Sequence, residues 1–237
     1  MDSRDMCETN RLKESVYPGR GIVIGQTPDA KHLVQIYWIM GRSPTSRNRV
    51  FVTEGEFVKT DLVDPTQEVD PLTLYYPMKH LDQYHIVSNG DQTDTVYDAL
   101  LQRGSFEVAL RTRTYEPDGP IFTPRISGLV DLGGHEPVYR LAILKPNGPD
   151  SEICIRHFFE YESPVAGLGH CMTTYEDDGN PPPRFVGEPF RVELKNDLDE
   201  IANFYWNLLH ADNKVAMVVK LIDPETQMTA LKIVNRY

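Results

Sequence analysis

Cysteine is scarce in this chain of 237 residues: Cys7, Cys154 and Cys171 are an odd number, with no CxxC spacing. That pattern does not build a disulfide framework and fits a reducing cytosol, so a cytoplasmic location is expected. No apolar run approaches the ~20 residues of a membrane helix. The opening Met-Asp-Ser-Arg-Asp lacks the apolar segment of a signal peptide. Positive charge is short too, with 24 Lys and Arg against 35 Asp and Glu and a net charge of -11. This balance argues against nucleic acid and against an anionic membrane surface as partners. His80, His85, His135, His157 and His170 are scattered without an HExxH or a cluster of acids, so no metal site is expected. P-loop, GxGxxG and GxSxG signatures are missing as well.

What the chain has in quantity is turn residues, 18 prolines and 16 glycines, around an apolar content of 40%. Many short strands with a substantial core follow from that. Residues 1–16 are polar and aperiodic and read as a flexible leader; residues 17–237 read as one domain. Ile22–Gly25, Val34–Met40, Arg49–Thr53 and Phe57–Val63 predict an antiparallel opening, followed by strands over Leu72–Tyr76 and Gln83–Ser88. A helix is predicted from Thr93 to Gly104, capped by Thr93 or Asp91, and a second over Ser105–Arg113. Ser127–Leu132, Val138–Leu144, Ile153–Tyr161 and Leu168–Tyr175 alternate as strands. After the acidic, proline-rich 177–189, the apolar stripe of Asp197–His210 predicts a third helix, and Val215–Ile222 with Ala230–Val234 a closing hairpin. The element order makes the fold class α+β with packed layers.

Four polar loops stand out. In an acidic chain, Arg42-Ser-Pro-Thr-Ser-Arg47-Asn48-Arg49 concentrates guanidinium groups and hydroxyls between two strands. It reads either as a phosphate-binding loop, with Ser43 and loop amides as neutral donors, or as a solvated hairpin paired with surface carboxylates. Asn89-Gly90 running into Thr93 offers amides to an anion, or is ordinary helix capping. Glu116 and Asp118 flank prolines, which fix their direction; such a carboxylate is a general base, or pairs with Arg113 or Arg125. Tyr17, Tyr115, Tyr175 and Lys79 are candidate proton donors. Cys154 and Cys171 fall inside predicted strands, where an inert buried thiol is the default.

Taken together and in this order, Tyr17-Pro-Gly-Arg-Gly-Ile-Val-Ile-Gly25, Tyr37-Trp-Ile-Met-Gly-Arg-Ser-Pro-Thr-Ser-Arg-Asn-Arg-Val-Phe51, Val87-Ser-Asn-Gly-Asp-Gln-Thr-Asp94 and Tyr115-Glu-Pro-Asp…Thr-Pro-Arg-Ile126 resemble the archaeal-type IMP cyclohydrolase family. The resemblance implies a four-layer αββα sandwich of two antiparallel sheets, of the Ntn-hydrolase-like kind. It implies a purine-biosynthetic hydrolase that closes 5-formamidoimidazole-4-carboxamide ribotide (FAICAR) to inosine monophosphate with loss of water, acting on a cyclic-amidine C–N bond. No cofactor or metal is implied, and the partner is a small-molecule purine ribonucleotide. A homo-oligomer is compatible with the sequence, which carries no clear signal either way.

On this resemblance Arg20, Arg42, Arg47 and Arg49 hold the phosphate or a developing oxyanion, with Ser43 and Asn48 as added donors. Asn89, Gly90, Thr93 and Thr123 orient the nucleotide. Glu116 is the acid/base carboxylate, helped by Tyr115 and positioned by Arg125, while Lys79 and Tyr175 deliver protons. Two other functions stay open: a non-catalytic purine-nucleotide-binding module, and an Ntn-type amidohydrolase using Cys7. Tyr17-Pro-Gly-Arg20 stands where that nucleophile would be expected, which speaks for cyclisation without an acyl-enzyme.

Overall fold

Side-chain alternation along the strands sorts the apolar residues onto two faces. The computed structural model describes residues 7–134, 138–148 and 152–237. A short helix, α1 (Asn10–Glu14), leads into a hairpin of β1 (Gly21–Gln26) and β2 (Leu33–Met40). One helical turn, α2 (Pro44–Arg47), carries the chain into β3 (Val50–Glu54), β4 (Phe57–Asp61), β5 (Met78–Leu81) and β6 (Tyr84–Ser88). Then come α3 (Gln92–Leu101), α4 (Phe106–Arg111), β7 (Arg125–Asp131), β8 (Tyr139–Pro146) and β9 (Cys154–Tyr161). The chain ends in β10 (Leu168–Thr173), β11 (Phe190–Glu193), α5 (Leu198–Leu208), β12 (Lys214–Ile222) and β13 (Thr229–Asn235).

Two antiparallel sheets result. One is a meander in sequence order from β3 to β9. The other runs β11-β10-β1-β2-β12-β13, so the N-terminal hairpin is clasped between strands from the far end of the chain. The sheets pack face to face over a core that includes Ile24, Tyr37, Val87, Ile126, Val130, Leu141 and Val218. Gly128 makes a close approach possible there: a Cβ at that position would sit 2.6 Å from Ile24 Cδ1. On the outer face of the meander, Val96, Leu100, Phe106 and Leu110 of α3 and α4 cover Ile86, Leu129, Ala142 and Leu144. On the outer face of the other sheet, Ile201, Ala202 and Tyr205 of α5 are buried, and Asp197 caps that helix by accepting from the Asp199 and Glu200 amides. The layering is αββα.

Some segments depart from the expectation. Leu72–Tyr76 is not a strand; Pro71–Thr73 forms a 3-10 turn that Asp70 caps through the Leu72 amide, and the strand comes later, at Met78–Leu81. Pro71 and the aspartate cap outweigh the β-propensity of the residues that follow. The Arg42–Arg49 loop does not join two strands of one sheet: β2 and β3 lie in different sheets, so it is a crossover between layers. Strand β11 follows the acidic, proline-rich stretch and was not expected. Within residues 7–16, read as part of a loose leader, Leu12 of α1 is buried, and Thr9 Oγ1 accepts from the Glu193 amide at 3.0 Å. Residues 1–6 and His135 lie outside the described residues. No helix among the described residues is long and apolar enough to cross a membrane.

Candidate active site

At one end of the sandwich, chain segments from both sheets converge. Arg20 immediately precedes β1, Tyr175 follows β10, Asn89 follows β6, and Arg125 begins β7. Glu116 sits in the proline-bearing loop between α4 and β7, its backbone tied to Thr123 by an N–H···O bond of 2.9 Å. Glu116 as a whole is 1% exposed. Arg20 Nη2 reaches its Oε2 at 3.3 Å, and Asn89 Nδ2 donates to its Oε1 at 3.3 Å.

A buried carboxyl group resists ionisation, and here burial is the largest influence. Asp118 nearby pushes the same way, whereas Arg20, Arg125 and Arg49 oppose it; the outcome is a Glu116 carboxyl raised to about 7. Such a group gives and takes protons near neutrality. Asp118 is locked by the Thr123 amide at 2.7 Å and by the Thr123 hydroxyl. Because Thr123 spends its only proton on Asp118, the 2.6 Å contact with Tyr175 must be donated by the tyrosine. Tyr175 therefore offers lone pairs rather than a proton in this arrangement, and burial holds its phenol up at about 12.

The arginines divide by duty. Arg49 is 2% exposed and donates Nε to Ser46 O at 2.9 Å and Nη2 to Met40 O at 3.3 Å, while its Nη1 has no acceptor among the described residues. Arg20 Nε is likewise buried without an acceptor. Arg42 lies at the rim with its guanidinium 4.5 Å from the Tyr17 ring centre, held by Asp178 and by Gly179 O at 2.7 Å. Tyr17 in turn stacks on Tyr175. Arg125 bonds Gln92 Oε1 at 2.6 Å and Asp91 at 2.7 Å.

Other sequence-nominated residues build the walls or lie elsewhere. Ser43 and Ser46 form a reciprocal capping box on α2. Arg47 binds Gly41 O and Asn213, and Asn48 exchanges two bonds with the Asp64 backbone. The Thr93 hydroxyl donates to Gly90 O inside the first turn of α3. Gly90 leaves room for Arg125, whose Nη1 would lie 2.6 Å from a Cβ there. Tyr115 packs edge-on against Phe122. Lys79 faces the α3 layer, bonded to Asp94 at 2.7 Å and set over Tyr76, on the opposite face of the meander. Cys7 is distant in kind: it neighbours Glu193 and Arg191, and burial, with Glu193, raises its thiol, the reverse of an activated nucleophile. Among the described residues, no group of three or more His, Cys, Asp or Glu is placed to hold a metal.

A family model described as "IMP cyclohydrolase-like protein" matches residues 17–227. The chain belongs to that family. An IMP cyclohydrolase of Methanothrix thermoacetophila is 32% identical over 124 residues, which cover 48% of this chain and 58% of that protein. The chain thus spans little more than half the length of that curated relative. The IMP cyclohydrolase-like match contains every residue of the cluster just described.

In this IMP cyclohydrolase-like chain the structure also brings in groups not nominated from sequence. Tyr37 and Tyr75 share a hydroxyl–hydroxyl bond of 2.7 Å, both buried, close enough to Arg20 and Arg49 to act on their charges. Tyr75 was hidden inside a wrongly expected strand. Gln92 was visible in the Asn-Gly-Asp-Gln-Thr motif, but nothing local says that a helix-opening glutamine turns inward.

Proposed function

We propose that this protein closes the second ring of a purine nucleotide: FAICAR to inosine monophosphate and water. The observation that carries the reading is the buried Glu116 carboxyl, poised near neutrality between Arg20 and Asn89. The substrate supplies nucleophile and electrophile on adjacent ring positions, so much of the entropic cost is already met. Glu116, ionised, takes a proton from the carboxamide nitrogen as that nitrogen bonds to the formyl carbon. The formyl oxygen gathers negative charge, for which Arg20 is the nearest donor. Glu116, now protonated, returns that proton to the oxyanion to give a hydroxyl. It then takes the proton of the former formamido nitrogen and delivers it to that hydroxyl as the C–O bond breaks, the C=N bond forms and water leaves. One carboxyl group thus serves as base and then acid.

Arg49, with its unused Nη1, and Arg42 at the rim are the proposed partners of the ribotide phosphate. Asn89 and Tyr175 orient the base and its substituents; Thr123 and Arg125 hold these groups in place. The family match and the curated relative support the reaction class. Purified protein given FAICAR and followed by ultraviolet absorbance tests it. Conversion well above the spontaneous rate, lost in Glu116→Gln, is expected. Tight binding of inosine monophosphate with no conversion would instead make the protein a binding module.

A further inference from the structure

Beyond the groups that would touch a nucleotide, a directed chain of hydrogen bonds ends on Glu116. Asn89 Oδ1 accepts the Ile126 amide at 2.8 Å, and Asn89 Nδ2 donates to Pro124 O at 2.9 Å. A backbone N–H only donates and a carbonyl only accepts, so the Asn89 amide has one orientation, with its N–H toward Glu116. Gln92 is settled in the same way: its Nε2 donates to Ile126 O at 3.2 Å and to Asn89 Oδ1 at 2.9 Å. Its Oε1 accepts Arg125 Nη1 at 2.6 Å. Every link therefore points its proton the same way, from Arg125 to Gln92 to Asn89 to Glu116. Bonds in such a series polarise one another in a dry interior. Gln92 and Asn89 are both 0% exposed.

We propose that Gln92 is a positioning residue of the active site, relaying the charge of Arg125 onto Asn89 and so holding the Asn89 N–H on the Glu116 carboxylate. The proposal gives the site reading above a second layer and rests on it for the role of Glu116. Charged groups facing Glu116 come from several elements: Arg20 before β1, Arg49 before β3, Arg125 on β7 and Asp118 in its own loop. Gln92 is the neutral link that lets the most deeply connected of these act through bonds as well as through space.

The test compares Gln92→Leu and Gln92→Glu with the wild-type chain. Glu116 is titrated by carbon-13 NMR of glutamate-labelled protein, its signal assigned by its loss in Glu116→Gln. Gln92→Leu keeps the volume and cuts the relay, and should raise the Glu116 midpoint by about half a unit to one unit. Gln92→Glu sets a second acceptor against Asn89 Oδ1 and so breaks that bond, adds a negative charge, and should raise the midpoint further. The acid limb of kcat/KM should move with each midpoint, with about a two- to fivefold loss at pH 7 in Gln92→Leu and a larger one in Gln92→Glu. The titration needs no substrate, so it stands or falls separately from the turnover assay. An unmoved midpoint in a folded variant overturns the proposal. Failure of both variants to fold, read by circular dichroism, would assign Gln92 to the core and overturn it equally.

Discussion

At the scale of single residues, the chemistry and the stability of this molecule pull against each other at Glu116. Its carboxyl moves from an ordinary 4.5 to about 7. A raised folded-state value means that the folded chain binds the extra proton more strongly, so this contribution is complete below 4.5 and lost as pH rises through 7. Glu116→Gln, neutral at all pH, should therefore be more stable than wild type above pH 7, by up to about 3 kcal/mol, as urea unfolding at pH 8 would measure. The same variant should lose at least about a hundredfold in turnover. In the wild type, kcat/KM should rise with pH along a limb centred near 7, because the ionised form takes the first proton. A flat profile between pH 6 and 8 would remove Glu116 from that role. The sequence made this residue a candidate through the proline that follows it, but burial decides its proton affinity, and burial belongs to the tertiary structure.

At the scale of elements, loops and helix ends divide function from stability. The segment after β10, from Glu176 to Arg184, is pinned over the site end by Arg42 on Asp178 and by Asp177 on the Val16 amide. The Arg42–Asp178 pair is half-exposed, so it adds under about 1 kcal/mol to stability. If Arg42 also meets the phosphate, Arg42→Ala should raise KM at least tenfold with little change in melting temperature. Asp178→Ala frees the guanidinium and should leave KM unchanged or lower. A steeper loss in Asp178→Ala than in Arg42→Ala would mean that the pair serves only to hold the loop. Asp197→Ala, by contrast, removes the α5 cap and should cost about 1 kcal/mol while leaving kinetics untouched. Most strands and all three longer helices were legible because apolar periodicity and caps act locally. The misplaced strand at Leu72–Tyr76 and the missed β11 show the limit: neighbours in space, not propensity, settle short segments. Lys79 illustrates the same limit for sites, since a one-residue alternation along β5 sends it to the α3 face.

For the molecule as a whole, the interlayer holds an unusual polar pair. Lys220 of β12 is 2% exposed and bonds His85 Nδ1 of β6 at 2.9 Å. Burial lowers Lys220 to about 8 and His85 to about 3. Both depressed cations make the unfolded chain the better proton binder, so stability should rise with pH from about 3 to 6.5 through His85 and from about 8 to 10.5 through Lys220. Lys220→Met should erase the alkaline rise, up to about 3 kcal/mol, leaving the acidic one. Urea midpoints of both proteins at pH 7.5 and 10 would decide it; parallel changes would show that the lysine is already hydrated. Pattern alone indicated β12 as a strand, yet a lysine amid its apolar residues gave no sign of facing a histidine 135 positions away.

The clasping of the N-terminal hairpin has a temporal side. The meander can gather itself from neighbouring segments, whereas β1 and β2 remain exposed on both flanks until β10 and β12 emerge, a long-range closure that is slow by nature. Arg20 rides on that hairpin and Glu116 on the meander's loop. Competence should thus arrive abruptly and late, and no nascent chain that stops short of β12 should carry a trace of it.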